Sequence, residues 1–470
     1  MTLIKSISGI RGTLGGAIGD SLSPFDLVKY TSAFGSWLLR TTNHSSGAAS
    51  NAVVVGRDAR LSGEAVSRVV IGTLQMLGLD VVDLELSTTP TVELAVTHHQ
   101  ALGGIVITAS HNPENWNALK LLNHRGEFIS AADGEAVLEQ ALKHAFDYTE
   151  ASKIGRYYVD SYALDRHIAQ IVALELVDVE AIRAKQFSIA VDAVNSSGGI
   201  AVPELLKALG LNEVTLINGE PTGKFAHDPE PLPQHLNELH DLLRTGRFDL
   251  GIAVDPDVDR LVFACEDGQP FGEEFTLVAI ADYVLQHQPG SNTVSNLSST
   301  VALRELTLRQ GGQYAASAVG EVNVVSKMKA IQACIGGEGN GGVIYPELHY
   351  GRDALVGIAL FLSYLAQIDK LPSELRGQYP GYVIAKNKLA LQPGTSFAAI
   401  YEALSEKYKS HPVDTTDGIK IEFGVAWVHL RPSNTEPVVR IYAEAENAVL
   451  AQELANQLVN DIMEYFAAAK

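Results

Sequence analysis

Two short polar segments of the chain could together transfer a phosphoryl group beside a metal ion. The first spans residues 108–113, reads TASHNP and begins directly after the apolar run 103–107. A serine displayed at the end of a buried strand can carry a covalent phosphoryl group. Taken alone, Ser and Asn before Pro mostly indicate a turn or a helix cap. The chemical interpretation of Ser110 therefore depends on a second group that can support the transfer.

That second group is a set of three aspartates at alternate positions, Asp255, Asp257 and Asp259, directly after the apolar run 250–254. In an extended loop their carboxylates can surround one hard cation. Oxygen ligands suit Mg²⁺ or Ca²⁺, and Mg²⁺ is favoured if the substrate is a phosphate. A polar turn capped by aspartates is the alternative. Three acids this close repel one another without a counter-ion, so we predict a metal site.

Two other chemistries fit these segments less well. An EF-hand loop counted from Asp255 has Glu266 at its twelfth position, but its sixth position is Arg260 where glycine is needed, and residues 261–264 read as a strand. Acyl transfer by a Ser-His-acid arrangement is disfavoured because His111 adjoins Ser110 and no Gly-x-Ser-x-Gly elbow surrounds the serine. Phosphoryl transfer therefore stays the favoured chemistry.

Two further loops could bind a phosphorylated sugar. Residues 336–342 read GGEGNGG, a flexible backbone in which Glu338 and Asn340 offer acceptors and donors for sugar hydroxyls. Residues 431–437 read RPSNTEP, where the guanidinium of Arg431 stands beside hydroxyls and an amide that suit the oxygens of a phosphate. Either loop alone is more often an ordinary turn. The ligand-binding interpretation of each loop therefore depends on the presence of the other segments.

Composition bounds the class of protein and of partner. The chain has 470 residues, 46% of them hydrophobic and 19% charged, which predicts a globular protein of about three or four domains. Its formal charge of −20 argues against a nucleic-acid partner, because phosphate backbones are bound by clustered Lys and Arg. A small anion is not excluded, since basic residues lie near glycine-rich or polar turns, although a solvated surface position is the usual interpretation for any one of them. These basic residues are Arg11, Arg57, Arg60, Lys120, Arg260, Arg352 and Arg431.

Cysteine content and hydropathy indicate the compartment. Only Cys265 and Cys334 are present, too few for a disulfide framework or a cysteine metal site, and the segment 1–5 lacks the apolar core of a secretory signal. The longest apolar run, 355–368, is shorter than the roughly 20 residues that a bilayer requires, so a buried helix is the better interpretation. We expect a cytoplasmic protein with no membrane partner.

The elements that must position these groups alternate between strand and helix patterns. Apolar runs at 52–55, 188–191 and 293–295 each lead into a polar turn, a helix, a glycine and a second strand. Three such copies predict three similar α/β modules with mixed or parallel sheets.

Residues 373–470 show a different pattern. Helices are predicted at 396–408 and 448–466. Strands are predicted at 383–385, 388–391, 419–423, 426–430 and 438–443. This order predicts a smaller C-terminal α+β domain with an antiparallel sheet. We place the four domains at 1–150, 151–268, 269–372 and 373–470.

In chain order, five motifs resemble the α-D-phosphohexomutase superfamily across almost the whole chain. They are Ile-Arg-Gly at 10–12, the serine segment at 108–113, Asp-x-Asp-x-Asp-Arg at 255–260, Gly-Glu-x-x-Gly at 337–341 and Arg-x-Ser-Asn-Thr-Glu-Pro at 431–437. The opening residues 6–12 are most similar to the bacterial phosphoglucosamine mutase type. The resemblance implies four domains around a central cleft, three of them related α/β units and the fourth a smaller phosphate-binding domain.

The resemblance also implies the reacting centre. Ser110 would carry the phosphoryl group as a phosphoserine. Mg²⁺ would be held by Asp255, Asp257 and Asp259 and by the phosphorylated Ser110.

Further roles follow from the same resemblance. Lys120, ten residues after the serine, would be the general acid or base, Arg11 would lie near the reacting hydroxyl, and His111 would help to position the phosphoserine. The remaining residues would bind substrate: Arg260 the active-site phosphate, Glu338 and Asn340 the sugar, and Arg431, Ser433, Asn434 and Thr435 the distal phosphate.

These roles predict a phosphohexomutase that interconverts 6-phospho and 1-phospho sugars through a phosphoserine and a hexose 1,6-bisphosphate that is both intermediate and activator. Glucosamine 6-phosphate to glucosamine 1-phosphate is the favoured reaction, and phosphomannomutase or phosphoglucomutase activity is the alternative. A Mg-dependent sugar-phosphate phosphatase is less favoured. A catalytically silent sugar-phosphate sensor is also less favoured, because it need not keep Ser110, Lys120 and all three aspartates.

One position departs from the pattern of the superfamily. Many relatives have histidine where this chain has Gly342, and serine where it has Asn340. His349 could fold back to replace that histidine, although a surface or core position is more common for a histidine. The departure leaves the preferred hexose phosphate open.

Overall fold

The structure is a computed structural model that describes residues 2–6, 9–42, 50–390, 397–432 and 438–468. The chain divides into two compact units. Unit 1 contains residues 1–283 and 340–373, and unit 2 contains residues 284–339 and 374–470. No helix in the part of the chain that the structure describes is both long and apolar enough to cross a membrane.

The first part of unit 1 is a seven-stranded mixed sheet with helices on both faces. Its elements are β1 (Ile4–Ser6), β2 (Gly9–Thr13), α1 (Pro24–Thr42), β3 (Ala52–Arg57), α2 (Gly63–Met76), β4 (Asp80–Leu86), α3 (Thr89–His98), β5 (Gly103–Ile107), β6 (Trp116–Leu122), α4 (Ala131–Lys143) and β7 (Tyr157–Val159). The strand order is β1-β2-β6-β5-β3-β4-β7, and β5, β3, β4 and β7 run parallel. The apolar runs of β3 and β5 are buried because helices cover both faces of the sheet.

The second part of unit 1 repeats the strand-helix order on a smaller scale. Its elements are α5 (Ala163–Val172), α6 (Val179–Lys185), β8 (Ile189–Asp192), α7 (Gly198–Ala208), β9 (Val214–Ile217), α8 (Asn237–Leu243), β10 (Leu250–Val254) and β11 (Leu261–Cys265). The strand order is β11-β10-β8-β9, with only β11 antiparallel. Val254 pairs with Leu261, so residues 255–260 form the turn of a hairpin. A strand follows the aspartates, as predicted, and the geometry of an EF-hand is excluded.

The third strand-helix repeat is divided between the two units. Its elements are α9 (Glu273–His287), β12 (Thr293–Asn296), α10 (Ala302–Arg309), β13 (Tyr314–Ser317), α11 (Glu321–Ile331), β14 (Ile335–Glu338), β15 (Gly342–Ile344), α12 (Ala354–Ile368) and α13 (Pro372–Arg376). In unit 2, β12 pairs in parallel with β13 and β14. In unit 1, Phe361 of α12 stacks on Phe263 at 3.8 Å between ring centroids. The apolar run 355–368 is therefore a buried helix, as predicted.

The C-terminal part of unit 2 is an antiparallel sheet with two helices. Its elements are β16 (Val383–Ala390), α14 (Phe397–Lys407), β17 (Val413–Asp414), β18 (Ile419–Phe423), β19 (Ala426–Pro432), β20 (Val438–Ala445) and α15 (Ala448–Ala468). The strand order is β16-β20-β19-β18-β17. Two strands were predicted at 383–385 and 388–391, but 383–390 forms one strand, because β20 pairs with all of it. Leu391 lies outside the described residues. The predicted fold class, three α/β modules followed by a smaller α+β domain, is confirmed.

Candidate active site

The serine segment is held in a constrained turn after β5. Ser110 has φ of +49°, a left-handed conformation that is uncommon for residues other than glycine. Its backbone N–H donates to Thr108 Oγ1 at 2.9 Å, and that hydroxyl donates to Asp58 Oδ2 at 2.6 Å. The strained backbone is therefore maintained by a buried polar network, as is common at functional sites.

Arg60 holds the same turn from the other side. Its guanidinium donates to the carbonyl oxygens of Ser110, of Asn112 at 2.7 Å and of Pro113 at 2.6 Å. Its Nε donates to Asp58 Oδ2 at 3.0 Å, and both side chains are fully buried. One arginine thus satisfies several loop carbonyls and fixes the position of Ser110.

The three aspartates meet the serine at the turn between β10 and β11. Ser110 Oγ donates to Asp255 Oδ2 at 2.6 Å. Asp255 Oδ1 accepts the backbone N–H groups of Asp259 and Arg260, each at 3.1 Å. One carboxylate oxygen from each of Asp255, Asp257 and Asp259 lies within 4.8 Å of the others, and all three residues are fully buried. The predicted nucleophile and the predicted metal ligands are in contact.

The aspartates leave coordination capacity open. Asp257 Oδ1 and Asp259 Oδ1 are buried and have no hydrogen-bond partner among the described residues. Burial, followed by the charges of Asp259 and Asp257, raises the pKa of Asp255 well above its ordinary value. A cation would relieve both the repulsion and the unsatisfied oxygens. The residues present therefore fit a hard divalent cation.

Lys120 and Arg352 bring positive charge to these carboxylates. Lys120 Nζ lies 2.6 Å from Asp257 Oδ2 and 3.2 Å from Asp259 Oδ2. Arg352 Nη2 donates to Asp259 Oδ2 at 2.7 Å. Burial alone would lower the pKa of Lys120, but Asp257 and Asp259 outweigh it and raise this pKa above its ordinary value. Lys120 is therefore protonated in this arrangement and donates hydrogen bonds to both aspartates.

Arg260, His111 and Arg11 form the rim of the serine turn. Arg260 Nη2 lies 2.8 Å from His111 Nδ1, and its Nη1 lies 3.2 Å from Glu230 Oε1. Arg11 Nη1 donates to Asn112 Oδ1 at 3.2 Å. Burial and then the charges of Arg260 and Arg11 lower the pKa of His111 well below its ordinary value. The imidazole is neutral, so its Nδ1 accepts a hydrogen bond from Arg260.

The general expectation that the basic residues are solvated is wrong for most of them. Five are at most 9% exposed: Arg11, Arg60, Lys120, Arg260 and Arg352. Arg57 and Arg431 are partly buried. Sequence alone treats each charge separately, whereas the fold gathers them around buried carboxylates that offset the cost of burial.

The predicted sugar-binding residues are divided between the two units. In unit 2, Glu338 is buried and accepts hydrogen bonds from Asn296 Nδ2 at 2.8 Å and from the N–H of Gly320 at 2.9 Å. In unit 1, Asn340 Oδ1 accepts the N–H of Gly342 at 3.2 Å. Two donors thus fix the orientation of the Glu338 carboxylate.

The predicted phosphate loop of unit 2 begins at two facing arginines. Arg431 of β19 pairs in register with Arg440 of β20. The Nε of Arg431 is buried without a hydrogen-bond partner among the described residues. Two adjacent guanidinium groups suit an anion. Ser433, Asn434 and Thr435 lie outside the described residues.

Sequence reasoning missed several polar partners of the site. Thr89, at the start of α3, donates from Oγ1 to Asp257 Oδ2 at 2.5 Å. Asp58 and Thr108 hold the serine turn, and Glu230 pairs with Arg260. The signal that could have identified Asp58 and Thr108 is their position directly after the buried strands β3 and β5.

His349 belongs to a separate buried group in unit 1, which we call the histidine cluster: Glu93, His167, His349 and Asp353. His349 Nδ1 lies 3.3 Å from Glu93 Oε2, and its Nε2 lies 3.3 Å from Asp353 Oδ2. His167 Nε2 lies 2.9 Å from Asp353 Oδ2. The two ring nitrogens of His349 thus both face carboxylates of the cluster.

Four family models match successive parts of the chain. They describe phosphoglucomutase/phosphomannomutase α/β/α domain I at residues 4–148, domain II at 165–268, domain III at 273–382 and the C-terminal domain at 385–461.

Individual relatives match over nearly their full length. A phosphoglucomutase/phosphomannomutase of Thermococcus kodakarensis is 34% identical over 94% of this chain and 96% of its own. A phosphoglucosamine/phosphogalactosamine mutase of Sulfurisphaera tokodaii is 32% identical over 96% of this chain and 97% of its own. The crystal structure of a phosphoglucomutase/phosphomannomutase family protein from Burkholderia thailandensis has a TM-score of 0.82 at 27% identity, covering 99% of this chain and 97% of that one.

The chain therefore belongs to the phosphoglucomutase/phosphomannomutase family of the α-D-phosphohexomutase superfamily. It is a phosphohexomutase, an isomerase most like the phosphoglucosamine mutases.

Proposed function

We propose that the chain interconverts 6-phospho and 1-phospho sugars by transferring a phosphoryl group from Ser110 to the sugar and then from the sugar back to Ser110. The observation that carries this proposal is the 2.6 Å contact between Ser110 Oγ and Asp255 Oδ2, inside a buried aspartate group with open carboxylate oxygens. A hydroxyl in such a place can accept a phosphoryl group next to a bound cation.

Asp255, Asp257 and Asp259 would hold the cation, and we propose Mg²⁺ because the donors are all oxygens and the substrate is a phosphate. The phosphorylated Ser110 would complete this ligand set. When bound, Mg²⁺ offsets negative charge on the group in transfer.

The first step transfers the phosphoryl group from Ser110 to the sugar, and several residues of the chain have separate roles in it. The bond between phosphorus and Ser110 Oγ breaks, the bond between phosphorus and the sugar oxygen forms, the sugar hydroxyl loses its proton, and Ser110 Oγ gains one. Lys120 is our candidate for proton transfer to or from the reacting oxygens, and Arg11 would lie near the sugar hydroxyl. Arg260 and His111 would hold the phosphoryl group at the serine.

The second step requires the bisphosphorylated sugar to present its other end. Glu338 and Asn340 would bind the sugar hydroxyls. The distal phosphate would be gripped by Arg431, Ser433, Asn434 and Thr435. The intermediate would then turn, return the other phosphoryl group to Ser110 and leave as the isomeric sugar monophosphate.

The substrate we favour is glucosamine 6-phosphate, converted to glucosamine 1-phosphate. The Sulfurisphaera tokodaii relative is named for glucosamine and galactosamine phosphates, whereas the Thermococcus kodakarensis relative is named for glucose and mannose phosphates. Phosphomannomutase or phosphoglucomutase activity is therefore the alternative. A Mg-dependent phosphatase is disfavoured.

The cytoplasmic location and the domain boundaries are two further parts of the proposal. A cytoplasmic location is proposed because both cysteines are free thiols, which suits reducing conditions. The domains are proposed at 1–150, 151–268, 269–372 and 373–470.

The test supplies glucosamine 6-phosphate, mannose 1-phosphate and glucose 1-phosphate separately, with Mg²⁺ and glucose 1,6-bisphosphate as activator. We expect exchange between the 1- and 6-positions, fastest with glucosamine 6-phosphate, and no matching release of inorganic phosphate. Ser110→Ala should abolish exchange, and Ser410→Ala, at an exposed turn, should leave it unchanged. Stoichiometric phosphate release, or full exchange by Ser110→Ala, would reject the proposal.

A further inference from the structure

Gly342 and Arg352 share one space in unit 1. A Cβ atom added at Gly342 would lie 2.4 Å from Arg352 Cδ and 3.2 Å from its Cγ. The backbone of Gly342 does not have the positive φ that favours glycine. Position 342 therefore requires glycine for steric reasons, because the aliphatic part of the Arg352 side chain occupies the place of a Cβ atom.

The backbone that carries Arg352 is fixed on both sides. Arg352 forms an antiparallel bridge with Ile344 of the strand that Gly342 begins. Its neighbour Asp353 accepts the N–H groups of Leu355 and Val356 as the N-cap of α12 and also belongs to the histidine cluster. The backbone position of Arg352 is thus set by the fold.

The guanidinium of Arg352 lies at the turn of residues 255–260, which carries the three aspartates and which we call the metal loop. It is 9% exposed, and its Nη2 lies 2.7 Å from Asp259 Oδ2, the oxygen that Lys120 approaches to 3.2 Å. Burial and then the charge of Arg260 lower the pKa of Arg11, and the charge of Arg352 lowers it further, so Arg11 and Arg352 lie in one electrostatic environment. Arg352 therefore joins the group of cations around the reacting serine.

The charges of this group leave room for an anion. Four basic side chains and four carboxylates of the described residues face one another there: Arg11, Lys120, Arg260 and Arg352 against Asp255, Asp257, Asp259 and Glu230. When the three aspartates hold a divalent cation as carboxylates, these formal charges cancel and the cation adds a surplus of two. A phosphoryl dianion would balance that surplus, and a guanidinium with its several N–H groups can donate to such an anion while it also contacts Asp259.

We propose that Arg352, passing across Gly342, is a binding residue for the phosphoryl group that the bisphosphorylated sugar presents at the metal loop. This inference rests on the proposed function and adds a residue to its site. The alternative is that Arg352 only orients Asp259 as a metal ligand. The two roles differ in what is lost when the guanidinium is removed.

The first test measures the binding of glucose 1,6-bisphosphate by calorimetry in the non-reacting Ser110→Ala background with Mg²⁺, because a bisphosphate can place one phosphoryl group at the metal loop while the other occupies the distal site. Arg352→Ala should weaken the binding of the bisphosphate about a hundredfold and change Mg²⁺ affinity less than about threefold. Added guanidinium ion should restore part of the binding. Unchanged binding of the bisphosphate, or a loss of Mg²⁺ affinity that matches the loss of bisphosphate affinity, would overturn the inference.

A conservative variant covers the case in which Arg352→Ala does not fold. Arg352→Lys keeps a positive charge near Asp259 but removes the planar pair of donors, so binding of the bisphosphate should weaken about tenfold at constant Mg²⁺ affinity. Equal binding by the lysine variant and the parent would contradict a specific role for the guanidinium.

The second test examines the shared space directly. Gly342→Ala should lower kcat/KM about tenfold in the parent and have little further effect in the Arg352→Ala background, because the displaced stem is already absent. Gly72→Ala is the control, since a Cβ there meets no atom within 4 Å. An equal effect of Gly342→Ala in both backgrounds would reject the coupling.

Failure of this inference is distinguishable from failure of the proposed function. If the parent chain exchanges no phosphate on any of the three sugars, the proposed function fails whatever Arg352 does. If the parent is active and Arg352 variants bind the bisphosphate normally, only the inference about Arg352 fails.

Discussion

The metal loop and the histidine cluster are both buried groups of charged residues in unit 1, but they are satisfied to different degrees. In the metal loop, Asp257 Oδ1 and Asp259 Oδ1 have no hydrogen-bond partner among the described residues. In the histidine cluster, the imidazoles of His167 and His349 lie against carboxylates at 2.9 to 3.3 Å.

This difference distinguishes a ligand-binding site, the metal loop, from a structural group, the histidine cluster. Three carboxylates with open oxygens repel one another and require a ligand from outside the chain. In the histidine cluster each carboxylate lies against an imidazole, so acids and imidazoles form ion pairs that connect distant parts of the chain. The histidine cluster includes Asp353, which follows Arg352 in the chain. The cluster therefore helps to fix the backbone of Arg352, whose guanidinium contacts Asp259 in the metal loop.

The largest expected effect on turnover comes from removing one carboxylate charge from the metal loop. Asp257→Asn should lower mutase turnover about a thousandfold, because transition-state charge is no longer offset by a tightly held cation. Mg²⁺ affinity, measured by calorimetry, should fall with it. Asp353→Asn is the matched change in the histidine cluster, and it should lower the melting temperature while Mg²⁺ affinity stays the same. If both variants lost Mg²⁺ equally, the distinction between the two groups would fail.

The next effect concerns the stability of the histidine cluster. His349→Gln breaks a buried ion pair, which should cost about 3 kcal/mol of unfolding free energy. Denaturant titration measures this loss. The exposed His124→Gln is the control and should unfold like the parent.

The same histidine predicts how stability depends on pH. Burial alone would lower the pKa of His349, but hydrogen bonds to Asp353 and Glu93 raise it to about 10. Since the folded-state pKa is the higher one, the stabilisation is complete below the unfolded pKa of about 6.5 and is lost as pH rises towards 10. The parent should therefore lose more stability than His349→Gln between these pH values. Parallel pH curves for the two proteins would show that His349 is not protonated in the fold.

A smaller effect tests how the serine turn is held. Arg60→Lys keeps a charge beside Asp58 but loses most of the donors to the loop carbonyls, so turnover should fall about tenfold to a hundredfold through misplacement of Ser110. Steady-state kinetics measure this change, and the exposed Arg68→Lys is the control. Normal turnover by Arg60→Lys would show that the turn keeps its shape without the guanidinium.

The smallest effect tests backbone strain in the metal loop. Val258, between two of the aspartates, has φ of +61°, which costs a β-branched residue about 1–2 kcal/mol. Val258→Gly should therefore be about 1 kcal/mol more stable than Val258→Ala in denaturant titration. At Val254, in the regular strand β10, the same pair should show the opposite order. The same order at both positions would argue against strain.

The fold could be predicted where the pattern of apolar residues is local. Strand β18 begins and ends where it was predicted. Strand β16 was divided in two because Lys386 and Asn387 interrupt its apolar pattern, while its pairing with β20 continues through them. Strand β17 was missed because two residues are too few to show a period.

The site could be predicted where its residues are contiguous. Three aspartates at alternate positions show their chemistry in the sequence itself. Arg60 and Arg352 did not, because an isolated arginine is usually solvated and only the packing around β3 and β15 reveals that these two are buried. The histidine cluster was also hidden, since its residues come from three distant segments.

The central claim is that Ser110 carries the phosphoryl group. Its most direct test is to incubate the protein with glucose 1,6-bisphosphate and Mg²⁺, quench the reaction, and locate the phosphate by peptide mass spectrometry before and after a chase with sugar monophosphate. We predict one phosphoryl group on Ser110 that moves to the sugar at least as fast as turnover. Phosphate absent from Ser110, or present there but not transferred to sugar, would contradict the account.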